Sequence, residues 1–124
     1  MSIAVGVGCR KGCPAEAIEA LVRHALAGVS GAPLGLFTVA DKRDEAGLAD
    51  AAELLELSLT YLTREALRDR VGDVRTRSER VESLFGVPSV AETAALVGAG
   101  PGSVLLVPRI AEGGATCAIA GSAP

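Results

Sequence analysis

The sequence predicts a three-layer α/β/α fold with a mostly parallel five-stranded sheet and an antiparallel C-terminal hairpin strand. Short apolar runs alternate with stretches of helical periodicity, the order expected of repeated βαβ units. Some of these runs are apolar at nearly every position, which is typical of strands covered on both faces. Aromatic residues make up only 2% of the chain, so the core must consist of Leu, Val, Ile and Ala. The length suits a single domain spanning residues 1–124.

The first strand and the first helix flank a glycine-rich turn. Ile3–Val5 is predicted as a strand, and Ala15–Ala27 as a helix with a single apolar stripe. Pro14 suits the first turn of this helix, and Gly28 suits its end. The residues between them, Gly6–Pro14, must form a tight strand-to-helix turn. Such a turn exposes backbone N–H groups at the positive end of a helix, which suits an anion.

A second strand, a helix and a third strand follow. Leu34–Ala40 is predicted as a strand, and Asp41 as the N-cap of the next helix. Leu57–Leu62 is predicted as the third strand, and Thr63 as the cap of a short helix through Asp69. The helix between the two strands has an apolar stripe formed by Leu48, Ala51, Ala52 and Leu55.

The second half of the chain contains a polar segment and two helix-capping motifs. Val71–Arg77 is polar and is predicted to be a mobile loop. Thr76-x-x-Glu79 and Ser89-x-x-Glu92 are capping boxes, each of which predicts the start of a helix. The two helices are expected to end at Gly86 and near Gly98.

Two strands complete the predicted sheet. Val104–Val107 is the fourth strand and Thr116–Ala120 the fifth. The turn Glu112–Gly114 joins them, which predicts an antiparallel pair.

Basic residues are concentrated where the predicted strands end. Arg10 and Lys11 leave the first strand, Lys42 and Arg43 leave the second, and Arg109 follows the fourth. Because parallel strands end at one edge of the sheet, these side chains are expected to lie together and to form a ligand site. Exposed turns are often charged without binding anything, and the spacing alone does not identify the anion.

Motifs for nucleotide, metal and redox chemistry fit poorly. Gly6-x-Gly8-x-x-Lys11 lacks the third glycine of a dinucleotide fingerprint, and there is no Gly-Lys-Ser/Thr for a P-loop. Cys9 and Cys13 have the wrong spacing for a CxxC motif. The helix N-terminus and the neighbouring cations could lower the pKa of Cys9 and make it reactive, although cysteine is also a common small core residue. We therefore expect no metal and no cofactor.

Candidates for acid–base catalysis are few. His24 is predicted on the outer face of a helix, near its C-terminus and without a triad partner. Asp41 and Glu79 are weak candidates for a general base, because each is also expected to have a structural role at a helix start. Nothing in the sequence compels an enzyme, and the question stays open.

Composition argues against several kinds of partner. The net charge of −3 and the three scattered aromatic residues disfavour a nucleic acid. No window approaches 18 consecutive apolar residues, and the N-terminus lacks the pattern of a signal peptide. Three cysteines are an odd number for a secreted disulfide framework. We expect a cytoplasmic protein with no membrane partner.

Four segments share a family pattern: GVGCRKGCP at 6–14, ADKRDE at 40–45, SERVE at 78–82 with GVPSVAE at 86–92, and GGATCAIA at 113–120. Together they resemble the CobE/CbiG C-terminal domain family of cobalamin (vitamin B12) biosynthesis. The resemblance follows the order of the chain over nearly its whole length and is far more specific than any single glycine motif.

The resemblance implies a role in cobalamin biosynthesis with a precorrin or hydrogenobyrinic-acid-type tetrapyrrole as ligand. Family members occur as the C-terminal part of a larger cobalt-precorrin-5A hydrolase, which opens a lactone, or as a free-standing protein. Because Met1 lies just before the first strand, this chain resembles the free-standing form. We expect a carrier of intermediates; the alternatives are a hydrolase of a corrinoid lactone and a partner of pathway enzymes that binds no ligand.

The ligand that the resemblance implies fits the basic edge of the predicted sheet. Precorrins carry several acetate and propionate carboxylates around a large ring, and cations bind such groups through charge-assisted hydrogen bonds. Glycines would let the flat ring approach the backbone. The candidate ligand-binding residues are Gly8, Cys9, Arg10, Lys11, Gly12, Asp41, Lys42, Arg43, Gly114 and Thr116.

Overall fold

The computed structural model describes residues 1–122, which contain five strands and five α-helices. Strands and helices alternate up to the third strand, three consecutive helices follow, and two consecutive strands come last. The strands are β1 (Ser2–Cys9), β2 (Ala32–Val39), β3 (Leu59–Leu62), β4 (Ser103–Glu112) and β5 (Ala115–Ser122). The helices are α1 (Ala15–Ala27), α2 (Ala46–Leu55), α3 (Arg64–Arg68), α4 (Glu79–Phe85) and α5 (Val90–Ala99). Single 3-10 turns occur at Ala40–Lys42 and Val71–Asp73.

The five strands form one sheet with the order β3-β2-β1-β5-β4. β1 pairs in parallel with β2, and β2 with β3, whereas β5 is antiparallel to both β1 and β4. β4 therefore runs in the same direction as β1. The predicted mostly parallel sheet with an antiparallel C-terminal strand is confirmed. The carboxyl ends of β1 to β4 and the start of β5 lie along one edge, which positions the candidate site.

The two faces of the sheet carry residues of different size. Ile3, Val5 and Val7 of β1 pack with α1 and α2 on one face. The other face, which α5 covers, carries small residues. A Cβ atom at Gly6 would collide with the backbone carbonyl of Ala91 in α5. The helix therefore reaches the sheet this closely only because position 6 has no side chain.

Most of the predicted helix ends are confirmed. The hydroxyl of Thr63 accepts a backbone N–H of α3 at 3.1 Å, and the hydroxyl of Ser89 accepts the N–H of Glu92 in α5 at 3.2 Å. Gly28 follows the last residue of α1, and Gly86 follows α4 with a φ of 75°. α1 is the longest helix of residues 1–122 at 13 residues, and none of these helices is long and apolar enough to cross a membrane.

Two predicted caps are wrong. Asp41 lies in the first 3-10 turn and does not cap α2, which begins only at Ala46. Thr76 does not cap α4, because the cap is Ser78, whose hydroxyl accepts the N–H of Val81 at 3.3 Å. In both cases the side chain that was predicted to cap the helix forms hydrogen bonds with another residue, described below.

All five strands differ by at least one residue from their predicted bounds, and two of them extend by four residues or more beyond the predicted end. β1 continues four residues beyond the predicted Val5 to Cys9. β4 continues beyond Val107 to Glu112, with two bulges that shift its register against β5. A bulge on an edge strand accommodates Pro108, which cannot donate a ladder hydrogen bond. Arg109 consequently lies within a strand, not after one.

The segment Val71–Arg77, predicted to be a mobile loop, is tied down at both ends. Arg70, just before it, donates hydrogen bonds from its guanidinium group to carbonyl oxygens at the end of α5 and the start of β4. The backbone N–H groups of Arg75 and Thr76 both donate to a carboxylate oxygen of Glu92, each at 2.9 Å. Polar groups outside the segment therefore anchor it, and its mobility stays a prediction.

Candidate functional site

A cavity of about 620 Å³ opens at the carboxyl edge of the sheet, on the face that α5 covers. Its volume is within the range of ordinary small-molecule sites. The end of β1, the turn after it, the β4–β5 hairpin and α4 form its walls. Of the candidate ligand-binding residues, those that line this cavity are Gly8, Cys9, Arg10, Lys11, Lys42, Gly114 and Thr116.

Positive charge dominates the cavity. Five cationic side chains line it, against a single carboxylate, that of Glu112. This excess is notable because the whole chain has a net charge of −3. Five cations around one concave surface create a positive potential that attracts a polyanion. The cations are Arg10, Lys11, Lys42, Arg80 and Arg109.

One wall of the cavity is apolar. Val81, Leu84 and Phe85 lie at i, i+3 and i+4 of α4, so they share one face of that helix, and all three line the cavity. Val90 at the start of α5 extends this wall. The cavity can therefore hold a ligand that combines an apolar surface with several anionic groups.

Glycines shape the floor of the cavity. The β4–β5 hairpin turns at Gly113 and Gly114, with φ of 63° and 86°, a geometry that suits the two-residue hairpin turn and favours glycine. The carbonyl oxygen of Gly114 accepts the N–H of Arg10 at 2.8 Å, which joins the hairpin to the turn after β1. A Cβ atom at Gly8 would lie 2.6 Å from the hydroxyl oxygen of Thr116. Glycine at position 8 therefore keeps this part of the floor open.

Three backbone N–H groups of the glycine-rich turn, which was predicted to present such groups to an anion, donate within the protein instead. The Arg10 N–H is used by the hairpin, and the Cys13 N–H donates to the carbonyl of Arg10 at 3.1 Å. The Gly12 N–H donates to a carboxylate oxygen of Glu45 at 3.0 Å, so a side chain of the protein takes the expected place of the anion. Gly12 lies outside the cavity. The positive charge of the site comes from side chains.

Burial makes the Cys9 thiol less acidic, contrary to the prediction. Desolvation raises the pKa of Cys9 to about 11, and the nearby Lys42 only partly opposes this effect. The pKa of Cys13 is also raised, mainly by burial, and burial raises the pKa of Cys117 to about 12. Cys9 lines the cavity as a neutral thiol at neutral pH, not as a reactive thiolate.

Because Cys9 is partly buried and its pKa is raised, we expect its thiol to be alkylated slowly in the native protein. At pH 8 the thiolate fraction of Cys9 should be roughly 100-fold lower than that of a thiol with the ordinary pKa of 9.0, since two pKa units separate them. Iodoacetamide labelling followed by mass spectrometry measures the rate. Unfolded protein should label quickly at all three cysteines, which provides the control. Labelling of native Cys9 as fast as of glutathione would contradict the assignment.

Besides Gly12, three candidate residues lie outside the cavity lining: Asp41, Arg43 and Glu79. Asp41 forms a bidentate ion pair with Arg64, with a shortest distance of 2.7 Å. These hydrogen bonds hold the pKa of Asp41 below its ordinary value, so its carboxylate is a poor base. Arg43 is turned away, with its guanidinium carbon 5.5 Å from the ring centre of Tyr61. Glu79 is exposed and does not line the cavity either.

The sequence predicts Glu92 only as part of a capping box, but its side chain accepts hydrogen bonds at two walls of the cavity, from β4 and from the segment that precedes α4. Its carboxylate is fully buried and accepts the N–H groups of Arg75 and Thr76, the hydroxyl of Thr76 and the N–H of Arg109, all at 2.9 to 3.0 Å. The bulge in β4 frees the Arg109 N–H from the ladder and turns it towards Glu92. Glu92 thus fixes both the segment that precedes α4 and the backbone of a cavity-lining cation.

The residues of α4 are the part of the site that sequence reasoning missed. The family resemblance included SERVE at 78–82, but Arg80, Val81, Leu84 and Phe85 were not among the candidates. The available signal is the apolar spacing of Val81, Leu84 and Phe85, which predicts an apolar helical face but not what that face contacts. Residues 1–122 contain no group of three or more His, Cys, Asp or Glu that could hold a metal ion.

Comparisons with known proteins agree with this description. A family model described as "Cobalamin synthesis G C-terminus" matches residues 3–120. Protein CobE of a Sinorhizobium species is 36% identical to this chain over an alignment of 124 residues. The alignment covers 98% of this chain and 80% of that protein.

Two solved structures are similar as well. The structure of CobE, described as a protein from the cobalamin (vitamin B12) biosynthetic pathway, has a TM-score of 0.87 at 34% identity, covering 95% of this chain and 88% of that one. The cobalamin biosynthesis protein chiG from Agrobacterium tumefaciens str. C58 has a TM-score of 0.77 at 37% identity, covering 98% and 99%.

Proposed function

Because the chain belongs to the CobE/CbiG C-terminal domain family and is a protein of the cobalamin biosynthetic pathway, we propose that its cavity binds a precorrin or corrinoid intermediate and carries it between enzymes of the pathway. The observation that carries this proposal is the group of five cations around a cavity of about 620 Å³ in an acidic chain.

The charges of the cavity match the periphery of such a ligand. Precorrins carry acetate and propionate carboxylates on several sides of the ring. Arg10 and Lys11 follow β1, Lys42 follows β2, Arg80 belongs to α4 and Arg109 to β4, so the cations surround the cavity and are not confined to one wall. Several carboxylates of one ligand can therefore be bound at once through charge-assisted hydrogen bonds.

The remaining walls match the ring itself. The apolar face of α4 offers a surface for the face of a macrocycle, and Gly8 and Gly114 leave space next to the backbone. The Cys9 thiol, which is neutral at pH 7, adds no charge that would repel carboxylates. Both properties of the ligand, a flat apolar ring and an anionic rim, have a counterpart in the cavity.

We propose that the protein carries its ligand and does not hydrolyse it, because neither candidate base lies in the lining of the cavity. Asp41 is paired with Arg64, and Glu79 lies outside the lining. The carboxylate that does line the cavity, Glu112, lies at the exposed end of β4 next to the hairpin turn. A general base must reach the proton that it removes, and neither predicted candidate meets that condition.

The test is a titration of the purified protein with hydrogenobyrinic acid and a panel of precorrins, followed by absorbance and by mass spectrometry of the recovered ligand. The proposal expects saturable 1:1 binding with the ligand unchanged. A chemically altered ligand would make the protein an enzyme and contradict carriage. A lack of binding to every ligand would favour a protein that only assembles with pathway enzymes.

A further inference from the structure

Residues 78–88 form a loop whose two ends are joined by a hydrogen bond. The N–H of Ser78 donates to the carbonyl of Pro88 at 2.9 Å, which closes an eleven-residue loop that contains α4. Loops of this length with touching ends are compact surface units that commonly carry function. We call this segment the flap (Ser78–Pro88).

The root of the flap is firmly held. Val87, Pro88 and Ser89 are buried at one end. At the other end, Thr76 donates two hydrogen bonds to the fully buried carboxylate of Glu92. The backbone on both sides of the flap is therefore fixed to α5 and cannot follow a movement of α4.

The part of the flap that forms α4 is held much less firmly than this root. No residue of α4 is buried, and Leu84 is 50% exposed although it lines the cavity. Val81 and Phe85 pack only partly against the core. At the junction of helix and root, Gly86 has a φ of 75°, a left-handed conformation that glycine adopts without strain. Few buried apolar contacts are typical of a segment that opens locally.

A contact through Phe85 links the flap to a cation of the cavity. The Lys42 ammonium lies 5.3 Å from the ring centre of Phe85, and the Arg64 guanidinium lies 5.7 Å from it. Cations at this distance from an aromatic ring attract it. Arg64 is already paired with Asp41, whereas Lys42 also lines the cavity. A ligand carboxylate that binds Lys42 therefore acts on the same side chain that holds the flap.

From these observations we propose that the flap closes over the bound ligand and lays Leu84, with Val81 and Phe85, on the apolar face of its ring. This inference rests on the proposed function, because it takes a macrocyclic polycarboxylate as the ligand. Ring contact explains why a half-exposed leucine faces a cavity that is also lined by five cations. Closure buries Leu84 only when the ligand is present, so the apolar contact should mainly slow ligand release.

The first experiment compares Leu84→Ser with Leu54→Ser in titrations with hydrogenobyrinic acid. Leu54 of α2 is 47% exposed and lies outside the cavity lining, so it is a matched control for the loss of an exposed leucine. Leu84→Ser is expected to weaken binding at least about tenfold, through faster dissociation, as the loss of one buried leucine side chain predicts. Leu54→Ser should bind like the wild-type protein.

The second experiment uses hydrogen–deuterium exchange, with and without saturating hydrogenobyrinic acid, to measure whether the ligand restrains the flap. Amides of residues 79–85 should exchange about tenfold more slowly with ligand, whereas those of α2 should not change. Suppose that the wild-type protein binds the ligand. If Leu84→Ser then binds it equally well, or if residues 79–85 gain no protection, closure of the flap is refuted and the proposed function stands. If the wild-type protein does not bind the ligand, the proposed function fails and the flap fails with it.

Discussion

Replacing Arg10 and Lys42 together with alanine is expected to weaken the binding of hydrogenobyrinic acid by about 30- to 100-fold. Each substitution removes a charge-assisted hydrogen bond worth roughly 1 to 1.5 kcal/mol at a partly exposed site, and tenfold corresponds to about 1.4 kcal/mol. Arg10 is exposed and Lys42 half-buried, so the fold should tolerate both changes. Titrations at two salt concentrations measure the effect, because added salt should weaken wild-type binding more than binding by the variant.

The matched control is Arg23→Ala with Arg43→Ala, which changes the net charge by the same amount. Arg23 pairs with Glu19 on α1, and Arg43 lies near Tyr61, so neither lines the cavity. The affinity of this variant for hydrogenobyrinic acid should lie within about twofold of the wild-type affinity. Long-range electrostatics account for that small difference. Equal losses in both double variants would show that net charge, and not the cavity, determines affinity.

Glu92→Ala is expected to lower the free energy of unfolding by about 4 kcal/mol, a large part of the stability of a domain of this size. The change leaves the N–H groups of Arg75, Thr76 and Arg109 and one hydroxyl without their acceptor. Unpaired buried donors cost roughly 1 to 3 kcal/mol each, and water that enters the vacated space recovers part of this cost. Chemical denaturation followed by circular dichroism measures the difference.

Glu82→Ala provides the control, because Glu82 is an exposed carboxylate on α4. Its removal should change the free energy of unfolding by less than about 0.5 kcal/mol. Glu92→Gln should fall between the two variants, since its amide keeps one acceptor oxygen but turns an NH₂ group towards N–H donors. A loss below about 1 kcal/mol for Glu92→Ala would contradict the role assigned to this carboxylate.

Topology explains why part of the site was predictable. Parallel strands end at one edge, so positions directly after β1 and β2 must lie close together wherever the rest of the chain goes. That rule placed Arg10, Lys11 and Lys42 on one cavity, and the structure bears it out. The fold class followed from the same regularities, because the apolar runs and helix caps are local signals.

The rest of the site depends on contacts between residues distant in sequence. Asp41 fits an N-cap pattern, but Arg64 binds it 23 residues later. The backbone of the glycine-rich turn fits an anion site, but Glu45 occupies the Gly12 N–H. Arg109 was expected at this edge and does line the cavity, but it lies within β4, where its N–H binds the distant Glu92. In each case a tertiary partner, absent from any local window, decided what the residue does.

The α4 wall was missed for a related reason. The spacing of Val81, Leu84 and Phe85 predicts an apolar helical face, but not whether that face meets the core or a cavity. The closing bond between Ser78 and Pro88 holds α4 at the edge of the sheet, beyond the start of α5. Cys9 shows the same limit: a helix start and two cations predict a lower pKa, yet burial raises the pKa of Cys9 to about 11.

The most direct test of the ligand site is a map of backbone amide shifts in the ¹H–¹⁵N spectrum of the protein on addition of hydrogenobyrinic acid. We expect the largest changes at residues 8–11, at residues 109–116 and along α4, with residues of α1 and α2 unchanged away from the sheet edge. Changes centred on α2 and the outer face of α1, or no change at saturating ligand, would contradict the claim that this cavity holds a corrinoid intermediate.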